Sequence, residues 1–363
     1  MISTLQLASG DFEILGIRKE RMPLQLLRIL RHIRKKSNQV KALIKNATLR
    51  AIVQTFPSIF SRLVLTNSTS TKKDGTGAQI QRLLATAALA ERLKIPFLQS
   101  RILDVAIHPL DGFQDHDSYN KFIEKLNYLF MITSTNRELD IDGIRRVKNL
   151  ELNQLIKIAV RSHRTKQFIR IEVENPYPLS DLNVNQYPSV IRKLENLSQV
   201  LLQKPTHSYI AIHYRQGVGN FAVYPGQTIP REITLDYFKS RINNLVTEAD
   251  RTRLELHVFT DAPTSVIKFQ PPSDQMHLWE GSPGYADGIM TVQPQAFSPD
   301  DFGVSKVVVH SGGDPIDAMI QMARASVLIV GRSSLSYIAG ILNKDGTVVG
   351  PPEFWHPSLE TWK

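Results

Sequence analysis

Short apolar runs alternate along the chain with longer stretches in which apolar residues recur every three or four positions. The first pattern is typical of buried strands, and the second of helices that pack on one face. In the first half, the order of strand, glycine loop, helix and strand indicates the βαβ unit of a parallel sheet. The predicted elements there are a strand at 62–66, a helix at 78–94, a second strand beginning at 96–98, mainly helix over 118–165, a strand at 168–173 and a helix at 188–203.

The second half alternates more regularly. Strands are predicted at 209–213, 254–259, 306–310, 327–330 and 347–349, with helices at 235–246, 314–325 and 333–342. Alternation at these lengths predicts a doubly wound sheet. The proline-rich stretch at 263–301 is too long for an idle loop in a compact domain, so we expect it to be functional or partly disordered.

A chain of 363 residues is longer than one ordinary hydrophobic core supports, and two domains are therefore expected. We predict an α/β fold made of two Rossmann-like, doubly wound domains. The first would comprise residues 1–204 and the second residues 205–363. The apolar content of 42% is ordinary for a folded globular protein.

The net charge of +10 is concentrated in one segment, residues 18–50, which has eleven basic residues and one acidic residue. The rest of the chain is balanced, with 33 of each sign. Apolar residues recur at helical spacing in this segment, and we favour a solvated helix that packs on its own domain. Peripheral contact with an anionic membrane is the alternative. Nucleic-acid binding is not expected, because the remainder has no basic stripe and no known reader module.

The cellular setting follows from what the chain lacks. It has no cysteine, which excludes disulfides and thiolate metal sites. No apolar run reaches the roughly 18 residues of a membrane helix, and the first residues do not have the pattern of a signal peptide. We therefore expect a cytoplasmic protein, with peripheral membrane contact left open by residues 18–50.

Two polar segments lie where predicted strands end, and together they suit a diphosphate. The first contains His213 and Arg215, and the second opens a helix with Ser333, Ser334 and Ser336. In an open α/β sheet, ligands bind just beyond the carboxyl ends of the strands. An arginine fork can hold two phosphate oxygens at once, and the N–H groups at a helix start bind anions.

Four blocks of the sequence, taken in order, resemble the GT-B fold fucosyltransferases that share a His-x-Arg signature, which include α-1,2-, α-1,6- and protein O-fucosyltransferases. The blocks are residues 74–82 with 90–96 for the glycine block and its helix, 213–217 for the His-x-Arg-Arg-Gly-Asp block, 256–261 for a strand ending in Ser/Thr-Asp, and 323–343 for the Ser-Ser-Phe-Ser block. The chain departs from the pattern at Gln216, Val218 and Leu335, where the family has Arg, Asp and Phe.

This resemblance implies a GT-B enzyme whose two Rossmann-like domains face each other across a cleft. The second domain would hold GDP-fucose as donor, and the first much of a glycan or polysaccharide acceptor. Fucose would be transferred with inversion to an acceptor hydroxyl, with no metal and no other cofactor. Arg215 would bind the β-phosphate and stabilise the leaving diphosphate. For His213, a ligand contact, support of Arg215 and a purely structural role remain open.

The other candidates for donor binding follow from the same blocks, and each has an ordinary structural explanation. Glycine allows close approach of a ligand to the backbone but is also common in turns, an aspartate after a strand can be a turn former, and one serine is expected to be an N-cap. The candidates are Gly75, Gly77, Gln79, Asp261, Ser333, Ser334 and Ser336. No base stands close behind Arg215 in the sequence, so a non-catalytic relic that binds nucleotide sugars or glycans is the alternative function.

Overall fold

The computed structural model describes most of the chain from residue 53 onward. The described residues are 53–54, 57–68, 75–106, 115–132, 141–180, 187–203, 205, 207–215, 233–270, 284–352, 354, 356 and 358–363. The basic segment 18–50 lies outside them, as do Gln216 and Val218. Both interpretations of the basic segment therefore stay open. Among the described residues, no helix combines the length and the hydrophobicity that a membrane span needs.

The first half builds a small parallel sheet. Its elements are α1 (Pro57–Phe60), β1 (Leu63–Asn67), α2 (Thr76–Leu93), α3 (His116–Leu129), β2 (Gly143–Asn149), α4 (Leu152–Thr165), β3 (Ile169–Asn175), α5 (Tyr177–Ser180), α6 (Tyr187–Arg192) and α7 (Glu195–Leu202). The strands lie in the order β1-β3-β2, all parallel. Every residue of β1 is buried, as expected for a strand that is covered on both faces.

Three predictions for this half were wrong. Strand β2 interrupts the stretch 118–165, because it is an edge strand that buries only Val147 and therefore carries no apolar signal. The strand expected at 96–98 is reduced to one parallel bridge between Phe97 and Leu65. The single helix expected at 188–203 is divided into α6 and α7.

The second half builds a five-stranded parallel sheet and a small antiparallel one. Its elements are β4 (Tyr209–Tyr214), α8 (Leu235–Leu245), α9 (Glu248–Arg251), β5 (Glu255–Thr260), β6 (Ile267–Phe269), β7 (Tyr285–Ala286), β8 (Ile289–Val292), α10 (Pro299–Phe302), β9 (Lys306–Ser311), α11 (Pro315–Ala323), β10 (Val327–Ile329), α12 (Ser334–Leu342) and β11 (Thr347–Val349). The large sheet has the order β11-β10-β4-β5-β9. Part of the stretch 263–301 forms the antiparallel sheet β6-β8-β7.

Helices cover both faces of the five-stranded sheet. Phe238 of α8 packs with Ile212 and Leu256 on one face, while Met319 of α11 and Ile338 of α12 belong to the core on the other. Numbered along the chain, the five parallel strands run 3-2-1-4-5 across the sheet, which is the doubly wound order. The α/β class and the doubly wound second sheet are thus confirmed.

The two sheets share packing. The larger hydrophobic cluster includes Leu65 of β1, Leu84 of α2, Met319 of α11 and Ile338 of α12. The boundary predicted at 204/205 falls between α7 and β4. Whether each half is an independent domain stays a prediction.

Candidate functional site

The order of the large sheet reverses between β4 and β10, and this switch point is where the predicted residues lie. His213 is the last residue but one of β4, and Arg215 follows that strand. Gly331 follows the neighbouring strand β10 and leads to Ser333, the N-cap of α12. Ligands of doubly wound proteins bind outside the carboxyl ends of the strands at such a point.

Arg215 is paired with Asp261, the residue that follows the adjacent strand β5. The Nε–H of Arg215 donates to Oδ2 of Asp261 over 3.2 Å, and the two side chains are only 20% and 13% exposed. The pair is therefore more than a surface ion pair. The bond uses Nε, and the Nη groups make no hydrogen bond to a described residue. Both Nη groups can therefore donate to a ligand.

His213 lies in the interior beside this pair. It is 7% exposed, and its Nδ1 has no hydrogen-bond partner among the described residues. Burial first, and then the positive charge of Arg215, lower the pKa of His213 to about 4. The imidazole is therefore neutral at pH 7, and Arg215 is the residue of the two that brings charge.

Gly331 is packed directly on His213. A Cβ at residue 331 would overlap the carbonyl oxygen of His213 and lie 3.4 Å from its Nδ1. Only a residue without a side chain lets the turn before α12 lie this close to the end of β4. The sequence showed Gly331 as part of a helix start, but gave no sign of this contact.

The three serines at the start of α12 have different environments. Ser333 is the N-cap, and its Oγ accepts from the N–H of Leu335 over 3.3 Å, as expected for one of the serines. Ser336 is fully buried, and its hydroxyl lies 3.3 Å from the carbonyl oxygens of Gly331 and Ser333. The hydroxyl of Ser334 bonds to no described residue, so Ser334 is the serine best placed to meet a ligand.

The glycine block of the first half meets this helix start. A Cβ at Gly77, near the beginning of α2, would lie 2.6 Å from Cα of Leu335 and 2.8 Å from the carbonyl carbon of Ser334. The starts of α2 and α12, helices of 18 and 9 residues, thus touch backbone to backbone. At Gly75 a Cβ would meet nothing within 4 Å, so only Gly77 is required to be glycine by packing.

Convergence of two helix starts has an electrostatic consequence. Each helix carries partial positive charge at its N-terminus, where backbone N–H groups lack partners within the helix. Two such ends in contact with each other favour an anion nearby. Gln79, in the early part of α2, is half-buried.

Sequence reasoning missed two polar side chains near this junction. Gln81 is fully buried, and neither of its amide atoms has a partner among the described residues. It is four residues from Gly77 and so lies on the same face of α2. The guanidinium of Arg332 donates to the carbonyl oxygen of Pro352 from Nε and Nη2 over 3.0 and 2.9 Å, which directs it to the C-terminal segment.

The two halves are also joined away from the helix starts. Lys125 of α3 pairs with Asp314 and Asp317 of the second half, with Nζ–O distances of 2.6 and 2.7 Å. Asp314 is at the same time the N-cap of α11. Arg324, which ends that helix, donates to the carbonyl oxygen of Val200 in α7. Both ends of α11 are therefore tied to the first half.

Comparisons with known proteins give little beyond this geometry. No family model matches the chain, and no curated protein sequence does. The E. coli heptosyltransferase WaaC with ADP is similar at 13% identity, over 80% of this chain and 88% of that chain, with a TM-score of 0.32. The E. coli heptosyltransferase WaaC with ADP-2-deoxy-2-fluoro heptose is similar at 12% identity, over 83% and 91%, with the same TM-score. Because these scores are low, we base no conclusion on them.

Proposed function

We propose that this protein is an inverting glycosyltransferase of GT-B type that takes its sugar from a nucleotide diphosphate donor. GDP-fucose is the donor that the sequence blocks favour, and a glycan or polysaccharide hydroxyl is the acceptor. Transfer would need no metal. The donor would occupy the second half, and the acceptor would lie against the first.

One observation carries this proposal. Residues chosen from four separate sequence blocks meet at the switch point of a doubly wound sheet, although they are far apart in the chain. Gly77 touches the start of α12, Gly331 touches His213, and Arg215 is bonded to Asp261. A diphosphate needs hydrogen-bond donors and positive charge at one place, and this junction offers both.

In the proposed reaction, the acceptor oxygen bonds to the anomeric carbon while the bond from that carbon to the β-phosphate oxygen breaks. The nucleoside diphosphate leaves with the electron pair, and the proton of the acceptor hydroxyl passes to solvent water. Arg215 and the N–H groups of the helix starts would stabilise the charge that grows on the leaving group, which is usually the largest single contribution to catalysis. Asp261 is a positioning residue, since it holds Nε and turns the Nη groups away from itself.

His213 is not suited to be the base of this reaction. Its pKa of about 4 makes it a weak proton acceptor, and it is almost fully buried. It would fix where β4 ends, through its contact with Gly331. Of the three roles that the sequence left open for His213, we therefore favour the structural one.

A melting-temperature screen tests the donor. GDP and GDP-fucose should raise the melting temperature in the presence of EDTA, because a ligand that binds only the folded state stabilises it by about 2.7 kcal/mol at a hundred times its Kd. UDP, ADP and dTDP serve as comparison nucleotides. A shift with ADP or UDP alone would reject the guanine donor, and loss of every shift in EDTA would reject metal independence.

A non-catalytic relic is the second candidate, because the described part of the chain shows no carboxylate beside Arg215 other than Asp261, which is already bonded to it. Release of free sugar from GDP-fucose without acceptor separates the two. Slow release that is lost in Arg215→Lys would favour the enzyme, while binding without any release or transfer would favour the relic.

A further inference from the structure

Two histidines on neighbouring strands of the large sheet lie nitrogen to nitrogen. His257 is on β5, and His310 on β9 is opposite Phe259, so both imidazoles rise from the same face. Nε2 of His310 is 3.0 Å from Nδ1 of His257. The two residues are 53 positions apart in the chain, and no local spacing in the sequence marks them.

Aromatic neighbours fix the orientation of both rings. His257 stacks on Tyr209, with ring centroids 4.2 Å apart and planes 23° apart. His310 stacks on Phe259, at 4.4 Å and 5°. The two nitrogens are therefore held towards each other by packing on separate partners.

Glu255 sets the tautomer of His257. Its Oε2 lies 3.4 Å from Nε2 of His257, and because a carboxylate only accepts, Nε2 carries the hydrogen. Nδ1 of His257 therefore presents its lone pair to His310. A carboxylate behind a histidine is the arrangement that orients histidine ligands in metal sites.

We propose that His257 and His310 form a two-histidine binding site for a divalent transition-metal ion of the Cu²⁺ and Ni²⁺ class. Two nitrogens about 2.0–2.1 Å from one ion are about 2.9 Å apart at a right angle and about 3.4 Å apart at the tetrahedral angle. The observed separation of 3.0 Å is that of an ordinary hydrogen bond, and it also lies near the value for a right angle, the geometry of tetragonal copper and nickel sites.

Binding requires a lone pair on each nitrogen. The proton that Nε2 of His310 shares with His257 would move to Nδ1 of His310, so the ring stays neutral and Nε2 becomes a ligand. Burial lowers the pKa of His257, and burial followed by the charge of His257 lowers the pKa of His310 to about 4. Metal binding requires the neutral form of both rings.

Solvent reaches the two histidines, and two protein ligands leave part of the coordination of an ion unfilled. The side chain of His257 is 15% exposed. Within the described part of the chain, no group of three or more His, Cys, Asp or Glu is placed to hold a metal ion. Water or an added ligand would complete the coordination of the ion.

Copper titration of the full chain tests the proposal. With Cu²⁺ added to the metal-free protein, equilibrium dialysis should show one more bound equivalent in wild type than in His310→Phe, which keeps the ring stack on Phe259. Electron paramagnetic resonance should show two nitrogen ligands at this equivalent. The matched control is His207→Asn: its side chain is 61% exposed, it also lies beside Glu255, and uptake should not change. Glu255→Gln should bind about tenfold more weakly.

Equal copper uptake by wild type and a folded His310→Phe variant would overturn the proposal, as would loss of uptake in His207→Asn of the same size. If His310→Phe does not fold, His257→Phe makes the same comparison, and fewer than two nitrogens on the wild-type spectrum would also reject the site. Because metal uptake and not sugar transfer is measured, this result is independent of the proposed function.

Discussion

Replacement of Gly77 by alanine has two opposing effects on stability. It improves the helix preference of residue 77, but it disturbs the contact between α2 and α12. Alanine in a helix is favoured over glycine by roughly 0.5–1 kcal/mol, so from the sequence of α2 alone the change should stabilise the protein. In the structure, the added Cβ would lie 2.6 Å from Cα of Leu335 and 2.8 Å from the carbonyl carbon of Ser334. These are backbone atoms of α12, which cannot move aside as a flexible side chain can.

The overlap must therefore be relieved by moving one helix start away from the other. Overpacking of this kind costs about 1–3 kcal/mol, which outweighs the gain in helix preference. We expect Gly77→Ala to lose about 1–2 kcal/mol of stability, seen as a fall of roughly 1–3 °C in the melting temperature of a chain of this length. We also expect a weaker shift with GDP, because the two helix starts would no longer converge on one anion.

Gly75→Ala is the matched control. It lies two residues earlier, its φ of −60° and ψ of 160° suit alanine, and the added Cβ meets nothing within 4 Å. As an N-cap change it should cost only about 0.5 kcal/mol. Thermal melts with and without GDP compare the two variants. If Gly77→Ala melts at or above the wild-type temperature and keeps the full GDP shift, the contact between α2 and α12 is not as described.

Two further predictions concern β4. Arg215→Lys should fold normally but transfer sugar about 10²–10³ times more slowly, since lysine keeps the charge and loses the fork. The control Arg101→Lys, at an exposed position, should transfer sugar at the wild-type rate. Near-normal turnover in Arg215→Lys would show that Arg215 does not belong to the site. Because the pKa of His213 is lowered from 6.5 to about 4 on folding, its contribution to stability is complete above pH 6.5 and is lost as the pH falls towards 4, a loss of about 3 kcal/mol. His310 titrates in the same pH range in both proteins, so urea unfolding at pH 7.5 and 4.5 should show a loss larger by about 3 kcal/mol in wild type than in His213→Gln. An equal decline in the two proteins would contradict the assigned pKa of His213.

Much of the second half could be predicted from the sequence because strands such as β4, β10 and β11 are buried along most of their length. Such strands are continuous apolar runs, and β11 was found at the predicted residues 347–349. Strand β2 could not be found in this way, since it is held at an edge by backbone pairing with β3 and exposes most of its side chains. The division of 188–203 into two helices was missed because both pieces have helical periodicity.

The candidate site could be predicted as a set of residues but not as a geometry. Strand-end positions marked His213, Arg215 and Asp261, because parallel strands all end at one edge of their sheet. The order of strands within the sheet is a long-range property, and nothing in a linear pattern states that β4 lies between β10 and β5. The contact of Gly77 with Leu335 is harder still to predict, since it joins helices that pack on different sheets.

The charges around β4 indicate where selectivity for an anion must come from. Asp261 already opposes the charge of Arg215 at 3.2 Å, and His213 is neutral at pH 7. The three side chains together carry no net charge, so attraction of a diphosphate cannot rest on them alone. In the proposed function it would come from the direction of donors, namely the Nη groups of Arg215 and the N–H groups at the starts of α2 and α12. Directional donors stabilise a charge that forms at one place better than a charge spread over the surface. An arrangement of this kind suits a leaving group in a transition state, and this favours the enzyme over the relic.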